Sequence, residues 1–408
     1  MKFSLFYFSG DGSTTDNNKY RLLIEGAKFA DRHDFAGIWI PERHFDAFGG
    51  LYPNPAVAGA AIAMVTKRIQ IRSGSVVMPL QDPLRVAEEW SMVDNLSQGR
   101  VSLSFAPGWH PNDFVLYPEK YARKKEIMWR DIQVVQQLWQ GNAIARTGGN
   151  GKYVNIHTFP KPIQSRLPIW ITSLSDETFV EAGKIGANIL TSPLYQSLDE
   201  ILNKVSLYRR SLAQHGRDPQ QGKVALMIHT FIGSDINVVK AKVKQPFKNY
   251  LKTHFDLVVK SAGDLRFSID PETLTAQDLD DLLEFSFESY FNGKVLMGTP
   301  EYCRKMIDNL QHAGVDEIAA LIDFGVDFDS VMESLQALQS IKHHYDSSSA
   351  DYVAEGQRSR GAEEQRSRGA EEQRGRGAEG QRGRGAEEQR GRGAEENREL
   401  QITIDVSS

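Results

Sequence analysis

The chain has 408 residues and a formal net charge of −5, with both signs well mixed over its first 345 residues. That length allows one large α/β domain or two ordinary ones with a sizeable core, and the charge balance argues against a nucleic-acid surface there. A single cysteine, Cys303, excludes a disulfide scaffold and a cysteine-rich metal site, and no metal centre is expected. No apolar run approaches the roughly 18 residues of a membrane span. The start, Met1-Lys-Phe-Ser-Leu-Phe-Tyr-Phe, is too short and too aromatic for a secretory signal and lacks a small-residue cleavage site, so the expected location is the cytoplasm.

Strand and helix patterns alternate along the first 345 residues. Phe3–Phe8 reads as a buried strand, and Tyr20–His33 carries apolar residues at helical spacing. Gly37–Ile40 is a second strand that stops against three ionisable residues, Glu42, Arg43 and His44. Pro55–Val65 opens with a proline, well placed in the first turn of a helix. Ile69–Val77 is a third strand, Pro83–Leu96 a helix stopped by Ser97-Gln-Gly99, Val101–Phe105 a fourth strand and Lys120–Trp139 a long helix. Gly141–Pro160, rich in glycine, reads as an excursion with short β pieces. Ile169–Thr172, Ala187–Thr191 and Val224–Ile232 are strands five to seven. Helices follow them at Asp176–Lys184, Leu198–His215 and Asn237–Tyr250. Leu251–Lys294 shows no strand, although Phe285, Phe287, Tyr290 and Phe291 favour a packed part near its end. Thr299-Pro300 starts a helix to His312, Glu317–Ile322 is the eighth strand and Phe328–His343 the last helix.

Eight strands alternating with helices predict a parallel sheet. An open doubly wound sheet usually carries Gly-x-Gly-x-x-Gly after its first strand, and Phe8-Ser-Gly-Asp-Gly-Ser lacks the third glycine. A strand that ends in charge suits the C-terminal rim of a (β/α)8 TIM barrel, where such barrels keep their active sites. The expected organisation is a barrel domain over residues 1–345, with an insertion in its seventh βα unit, and a low-complexity tail over 346–408. In that tail Gln-Arg-Ser-Arg-Gly-Ala-Glu-Glu begins at Gln357 and recurs with small changes at Gln365, Gln373, Gln381 and Gln389. With no apolar residue larger than alanine, these octapeptides predict disorder. The glutamates beside each Arg-Gly pair cancel most of an RNA-binding field.

Several stretches carry a resemblance when taken together. They are Trp39-Ile-Pro-Glu-Arg-His-Phe45, Gly74-Ser-Val-Val-Met-Pro79, Asp82-Pro-Leu-Arg-Val-Ala-Glu-Glu-Trp90, Val93-Asp-Asn-Leu-Ser-Gln-Gly-Arg100, Gly108-Trp-His-Pro-Asn-Asp-Phe114, Gly298-Thr-Pro-Glu301 and Ile318-Ala-Ala-Leu-Ile-Asp-Phe-Gly325. In this order they resemble the luciferase-like flavin monooxygenases. Gly108–Phe114 and Leu321–Gly325 look like the mupirocin-type subgroup found beside polyketide and non-ribosomal peptide synthases. The resemblance implies a (β/α)8 barrel that binds reduced FMN at its C-terminal rim, and an FMN-dependent monooxygenase in secondary metabolism. The implied substrate is a small organic or carrier-protein-tethered molecule. No nicotinamide fingerprint is visible, so a separate flavin reductase is implied, and a homodimer is one possible assembly.

Site residues follow from the same resemblance. Glu42-Arg43-His44 falls where the luciferase α chain has Glu-His-His, so Arg43 replaces the histidine credited with catalysis and His44 matches the second. Arginine stays protonated and suits holding an oxyanion or peroxide, whereas His44 suits proton transfer. His110, beside Trp109, is a second candidate acid or base, and Asp113 either orients it or simply caps a turn. Gly74-Ser75 matches a cis peptide beneath the flavin ring, and Ser175 and Thr178 match the FMN phosphate site at a helix start, where free N–H groups favour an anion. The arginine that luciferase adds there is Pro107 here. Phe6, Phe8, Trp39, Phe105 and Trp109 are expected at strand ends, excluding water or filling the barrel core. Two rival readings are a deazaflavin-dependent dehydrogenase on the same barrel and a non-catalytic flavin-binding partner subunit.

Overall fold

The computed structural model describes residues 1–9, 17–193, 196–252 and 275–347. The octapeptide repeats and the central part of the segment after the seventh strand lie outside the described residues. Eight parallel strands close on one another: β1 (Lys2–Phe6), β2 (Gly37–Ile40), β3 (Gln70–Val77), β4 (Val101–Ala106), β7 (Ile169–Thr172), β8 (Asn188–Thr191), β9 (Val224–Ile232) and β11 (Glu317–Leu321). Neighbours in that order are hydrogen-bonded, and β11 pairs back onto β1 with Lys2 opposite Glu317. The fold is therefore the (β/α)8 barrel that the alternation predicts.

The strands are short and nearly all buried because a barrel strand faces side chains inside and helices outside. Gly37 opens β2 where a Cβ would stand 2.8 Å from the Gln70 carbonyl oxygen, so only glycine lets β2 approach β3 this closely. Outer helices begin where capping chemistry says they should. In α2 (Pro55–Val65) the Asn54 carboxamide accepts from the Ala56 and Val57 amides. In α3 (Pro83–Ser97) the Asp82 carboxylate accepts from Leu84 N–H. Each is followed by proline at the first helical position.

The boundaries of β2, α2, β7 and β9 coincide with the sequence expectation. Three features differ. Lys120–Trp139 is divided: a 3-10 turn at Pro118–Arg123 leads into α4 (Lys124–Trp139), because a proline-led turn winds tightly before the regular helix takes over. The excursion before β7, by contrast, carries its short β pieces as expected, as an antiparallel hairpin of β5 (Ile144–Thr147) with β6 (Tyr153–Ile156). Within the segment read as free of strands lies a helix, α8 (Ala276–Phe291). It is started by a reciprocal Thr275–Asp278 capping box and buries Phe287, Tyr290 and Phe291. A three-residue strand, β10 (Leu296–Gly298), then runs beside β9. Three residues are too few to carry a period, which is why pattern reading passed over it. Helices α1 (Arg21–Arg32), α5 (Asp176–Ile185), α6 (Leu198–Gln214), α7 (Ile236–Lys252), α9 (Pro300–His312) and α10 (328–347) complete the count among the described residues. No helix among them is long and apolar enough to cross a membrane.

The lower barrel is closed by a polar plug. Arg72 donates to Glu317 Oε1 at 2.7 Å and lies over the rings of Trp39 (4.7 Å) and Trp170 (5.2 Å). Ser4 donates to the same Glu317 oxygen at 2.5 Å, and Trp39 Nε1 donates to Ser4 Oγ at 2.9 Å. Trp39 is thus fully buried core and not a rim side chain. Cys303 is buried on α9, and desolvation pushes its thiol up to about 12, which leaves it inert.

Candidate active site

The loops that follow the strands assemble a cluster at the C-terminal rim. Arg43, three residues beyond the end of β2, is fully buried and donates to Asp113 through Nη1 and to Asp46 Oδ2 through Nη2 at 2.8 Å. Its guanidinium lies 5.3 Å beneath the Trp109 ring. The β2 loop is thereby fastened to the β4 loop, since Asp113 sits in the 3-10 turn Pro111–Leu116 that follows β4. Asp113, read as orienting His110 or capping a turn, has its carboxylate against Arg43. The Arg43 Nε–H is buried and finds no hydrogen-bond partner among the described residues. An unmet donor of this kind costs stability unless something is meant to meet it.

His44 Nε2 lies 2.9 Å from Glu42 Oε1. Glu42 is itself buried and accepts from the Val77 amide at 2.8 Å and the Gln81 carboxamide at 2.6 Å. Phe45 follows with φ +51° and its ring 64% exposed, which places a bulky left-handed residue at the mouth of the site. His110 caps its own turn: the ring Nδ1 accepts from Asn112 N–H at 3.3 Å, and the ring stands edge-on to Trp109 at 5.2 Å. Trp109 is 46% exposed.

A second part of the rim is built of hydroxyls. The Gly74–Ser75 peptide is cis, as the resemblance implies. A Cβ on Gly74 would stand 2.9 Å from the Phe6 ring and 3.2 Å from Trp39 Cβ, so this backbone lies close on the barrel interior. Ser75 Oγ meets Thr172 Oγ1 at 2.5 Å, and Ser104 Oγ meets the same oxygen at 2.7 Å. Ser173 follows at the end of β7 and accepts from Ser175 N–H at 3.0 Å. Ser175 makes no side-chain capping bond to α5; its hydroxyl pairs with that of Thr178 at 2.9 Å. Ser75 thus meets the end of β7 through Thr172, and Ser175 and Thr178 pair at the start of α5, which follows that same strand. Two lysines stand at that start, Lys125 at 3.2 Å from Glu177 and Lys204 at 4.0 Å from Asp176, where Pro107 supplies no charge.

Motif reading quoted Asp323 without giving it a role. Its carboxylate accepts from the Phe8 and Ser9 amides (2.7 and 2.8 Å) and from the Tyr52 hydroxyl (3.1 Å). Burial raises its pKa to about 7 against the lowering effect of these donors. Tyr7 and Tyr52 are raised well above the tyrosine range, first by burial and then by Asp323. His229, on β9, is enclosed by Phe247, Tyr250 and Phe324 at 5.0–5.8 Å. Burial lowers its pKa to about 3, so it is neutral. Among the described residues no group of three or more His, Cys, Asp or Glu side chains has metal-ligand geometry.

A closed barrel whose C-terminal rim gathers buried ion pairs, two histidines and several hydroxyls is a TIM barrel with its candidate site where such barrels keep theirs. The family model described as luciferase-like monooxygenase matches residues 1–317, and the chain belongs to that family of monooxygenases. It is 26% identical over 348 residues to the oxygenase component of a flavin-dependent trigonelline monooxygenase from Acinetobacter baylyi, covering 83% of this chain and 93% of that protein. Among solved structures it shares its fold with the monooxygenase RslO1 from Streptomyces bottropensis. That match has a TM-score of 0.71 at 20% identity and covers 85% of this chain and all of the other. It also shares it with the oxygenating constituent of 3,6-diketocamphane monooxygenase from Pseudomonas putida, solved with FMN (TM-score 0.66, 18% identity, covering 83% and 96%).

Proposed function

We propose that the chain is the oxygenase of a two-component system that uses reduced FMN, supplied by a separate reductase, to oxygenate a small organic molecule. The observation that carries this reading is the group of hydroxyls at Ser75, at the end of β7 and at the start of α5. It offers a place for an isoalloxazine ring at the barrel mouth and a phosphate at a helix N-terminus. The Acinetobacter relative's designation as an oxygenase component supports a reductase partner. Gly108–Phe114 and Leu321–Gly325 favour the mupirocin-type subgroup, and with it a carrier-protein-tethered acyl chain in secondary metabolism as the finer substrate class.

Reduced flavin supplies the oxygen chemistry when bound. The chain supplies the rest. Ser175, Thr178 and the first-turn amides of α5 bind the phosphate, with Lys125 and Lys204 offsetting the acidic Asp176 and Glu177. Gly74 and Ser75 support the ring, and Trp109 shields it from water. The Arg43 Nε–H donates to a ligand oxygen; its other nitrogens are occupied by Asp46 and Asp113. His44 moves the proton, and His110, at the opposite loop, faces the substrate.

The same reading extends to assembly. Helix α2 carries no charged residue, yet Val57 and Met64, seven residues apart on one face, are 68% and 70% exposed. Met92 and Leu96 of α3, the helix packed beside it, are exposed too. An apolar helix with an open apolar face suits a second copy of the chain.

The deciding experiment is anaerobic titration of the purified protein with reduced FMN, followed by oxygen and stopped-flow absorbance. Tight binding and a slowed, substrate-coupled reoxidation are expected. Binding of a deazaflavin in preference to FMN would support the dehydrogenase alternative. Rapid uncoupled reoxidation with every substrate class would support a non-catalytic subunit.

A further inference from the structure

We infer that Glu42 is a positioning residue that fixes the tautomer of His44, so that Nδ1 is the nitrogen that accepts the proton. The inference rests on the reading of His44 as the proton carrier of the rim and adds the group that makes it one.

The argument is an accounting of donors around one carboxylate. Glu42 Oε2 accepts from the Val77 backbone N–H at 2.8 Å. Oε1 accepts from the Gln81 carboxamide at 2.6 Å and faces His44 Nε2 at 2.9 Å. A carboxylate in this setting only accepts, so the imidazole must present Nε2–H to it. That leaves Nδ1 as the single lone pair of the neutral ring, and among the described residues no hydrogen bond engages it. The Glu42 side chain has no exposure and the His44 side chain 13%, so the contact is shielded and the ring still borders the mouth. The carboxylate cannot turn away, because Val77 N–H belongs to β3 and is held by the barrel. When Nδ1 takes a proton, the ring keeps its Nε2–H donated to the Glu42 carboxylate, so its orientation is unchanged by the transfer.

Replacing Glu42 by glutamine reverses the pattern. The Val77 N–H demands an acceptor, so the amide oxygen of the new side chain goes there. Its NH2 is then turned toward Gln81 and His44. Gln81 can flip to offer its own oxygen, but His44 must accept at Nε2 and carry its proton on Nδ1. The tautomer swaps without any change of charge on the ring.

The test is a long-range 1H–15N correlation spectrum of full-length protein labelled at histidine nitrogens, with a His44→Asn spectrum to assign the resonances. The expected wild-type pattern is a protonated Nε2 and an unprotonated Nδ1. In Glu42→Gln the two exchange character, turnover falls by roughly 100-fold, and reduced-FMN affinity stays within about twofold. Gln81→Leu, which keeps the carboxylate, retains the wild-type pattern. A wild-type spectrum with the proton on Nδ1 overturns the inference, and that spectrum needs no variant to fold. A swapped tautomer in Glu42→Gln with unchanged turnover upholds the role of Glu42 and instead removes His44 from the proton pathway.

Discussion

The molecule holds two buried arginines that look alike locally and serve different ends. Arg72 and Arg43 each pair with carboxylates, each lie near a tryptophan, and each keep an Nε–H without a hydrogen-bond partner among the described residues. Arg72 has its partners on strands. Glu317 opens β11, and Trp39 and Trp170 are nearly or wholly inaccessible. Arg43 has its partners on loops: Asp46 is partly exposed and Trp109 nearly half so. A cation sealed between strands can only close the barrel floor. One held between rim loops, under a ring open to solvent, remains within reach of a ligand.

Substitutions can break this comparison. Arg72→Met leaves Glu317 buried without its cation and should cost about 3–5 kcal/mol in urea unfolding, most of it recovered when Glu317 is also made apolar. Arg43→Met likewise leaves Asp113 buried without its cation and should cost about 3 kcal/mol, somewhat less than Arg72→Met because Asp46 can turn to water. Its larger effect should be on turnover with reduced FMN, roughly 100-fold. If Arg43→Met lost as much stability as Arg72→Met and kept full turnover, Arg43 would be a second structural plug.

Two neighbouring groups beside β9 and β11 sharpen the contrast through pH. Asp323 has a raised pKa of about 7, so the folded state holds its proton more tightly than the unfolded chain. Its contribution is present at low pH and is lost as pH rises toward and through 7. Asp323→Asn should therefore flatten the fall in stability between pH 5 and pH 8 by on the order of 2 kcal/mol. His229 is the reverse: with a folded pKa of about 3, the unfolded chain binds the proton first. Its contribution is present above about pH 6.5 and is lost as pH falls. His229→Phe, in a pocket already aromatic, should reduce the loss between pH 7 and pH 5 by on the order of 2 kcal/mol, read by the same denaturation series. The smallest effect should come from Ser175→Ala: one hydroxyl removed from the proposed phosphate site weakens FMN binding by about 1 kcal/mol, or roughly fivefold, in a fluorescence titration.

Much of this barrel is legible in local sequence. Strand β2 can be read because four buried residues stop at Glu42-Arg43-His44, and α2, α3 and α9 because a capping side chain stands just before a proline. Helix α8 was harder, since it lies in an insertion where no barrel period announces it. Trp39 looked equally at home at the rim or in the core. Its place was settled by Ser4 and Arg72 on the neighbouring strands and by Glu317, 278 residues away in the chain.

The sequence by itself determined the alternation, the barrel class and the rim stretches that carry ionisable side chains, because hydrophobic period, capping and proline placement are properties of a few adjacent residues. It did not determine partners. Arg43 meets Asp113 across 70 residues, Glu42 meets Val77 across 35, and Asp323 reaches Phe8 across 315. A single residue carries no record of what closure of the barrel will bring beside it. Which side chains meet was decided only when eight strand ends were drawn onto one rim and water was excluded from between them.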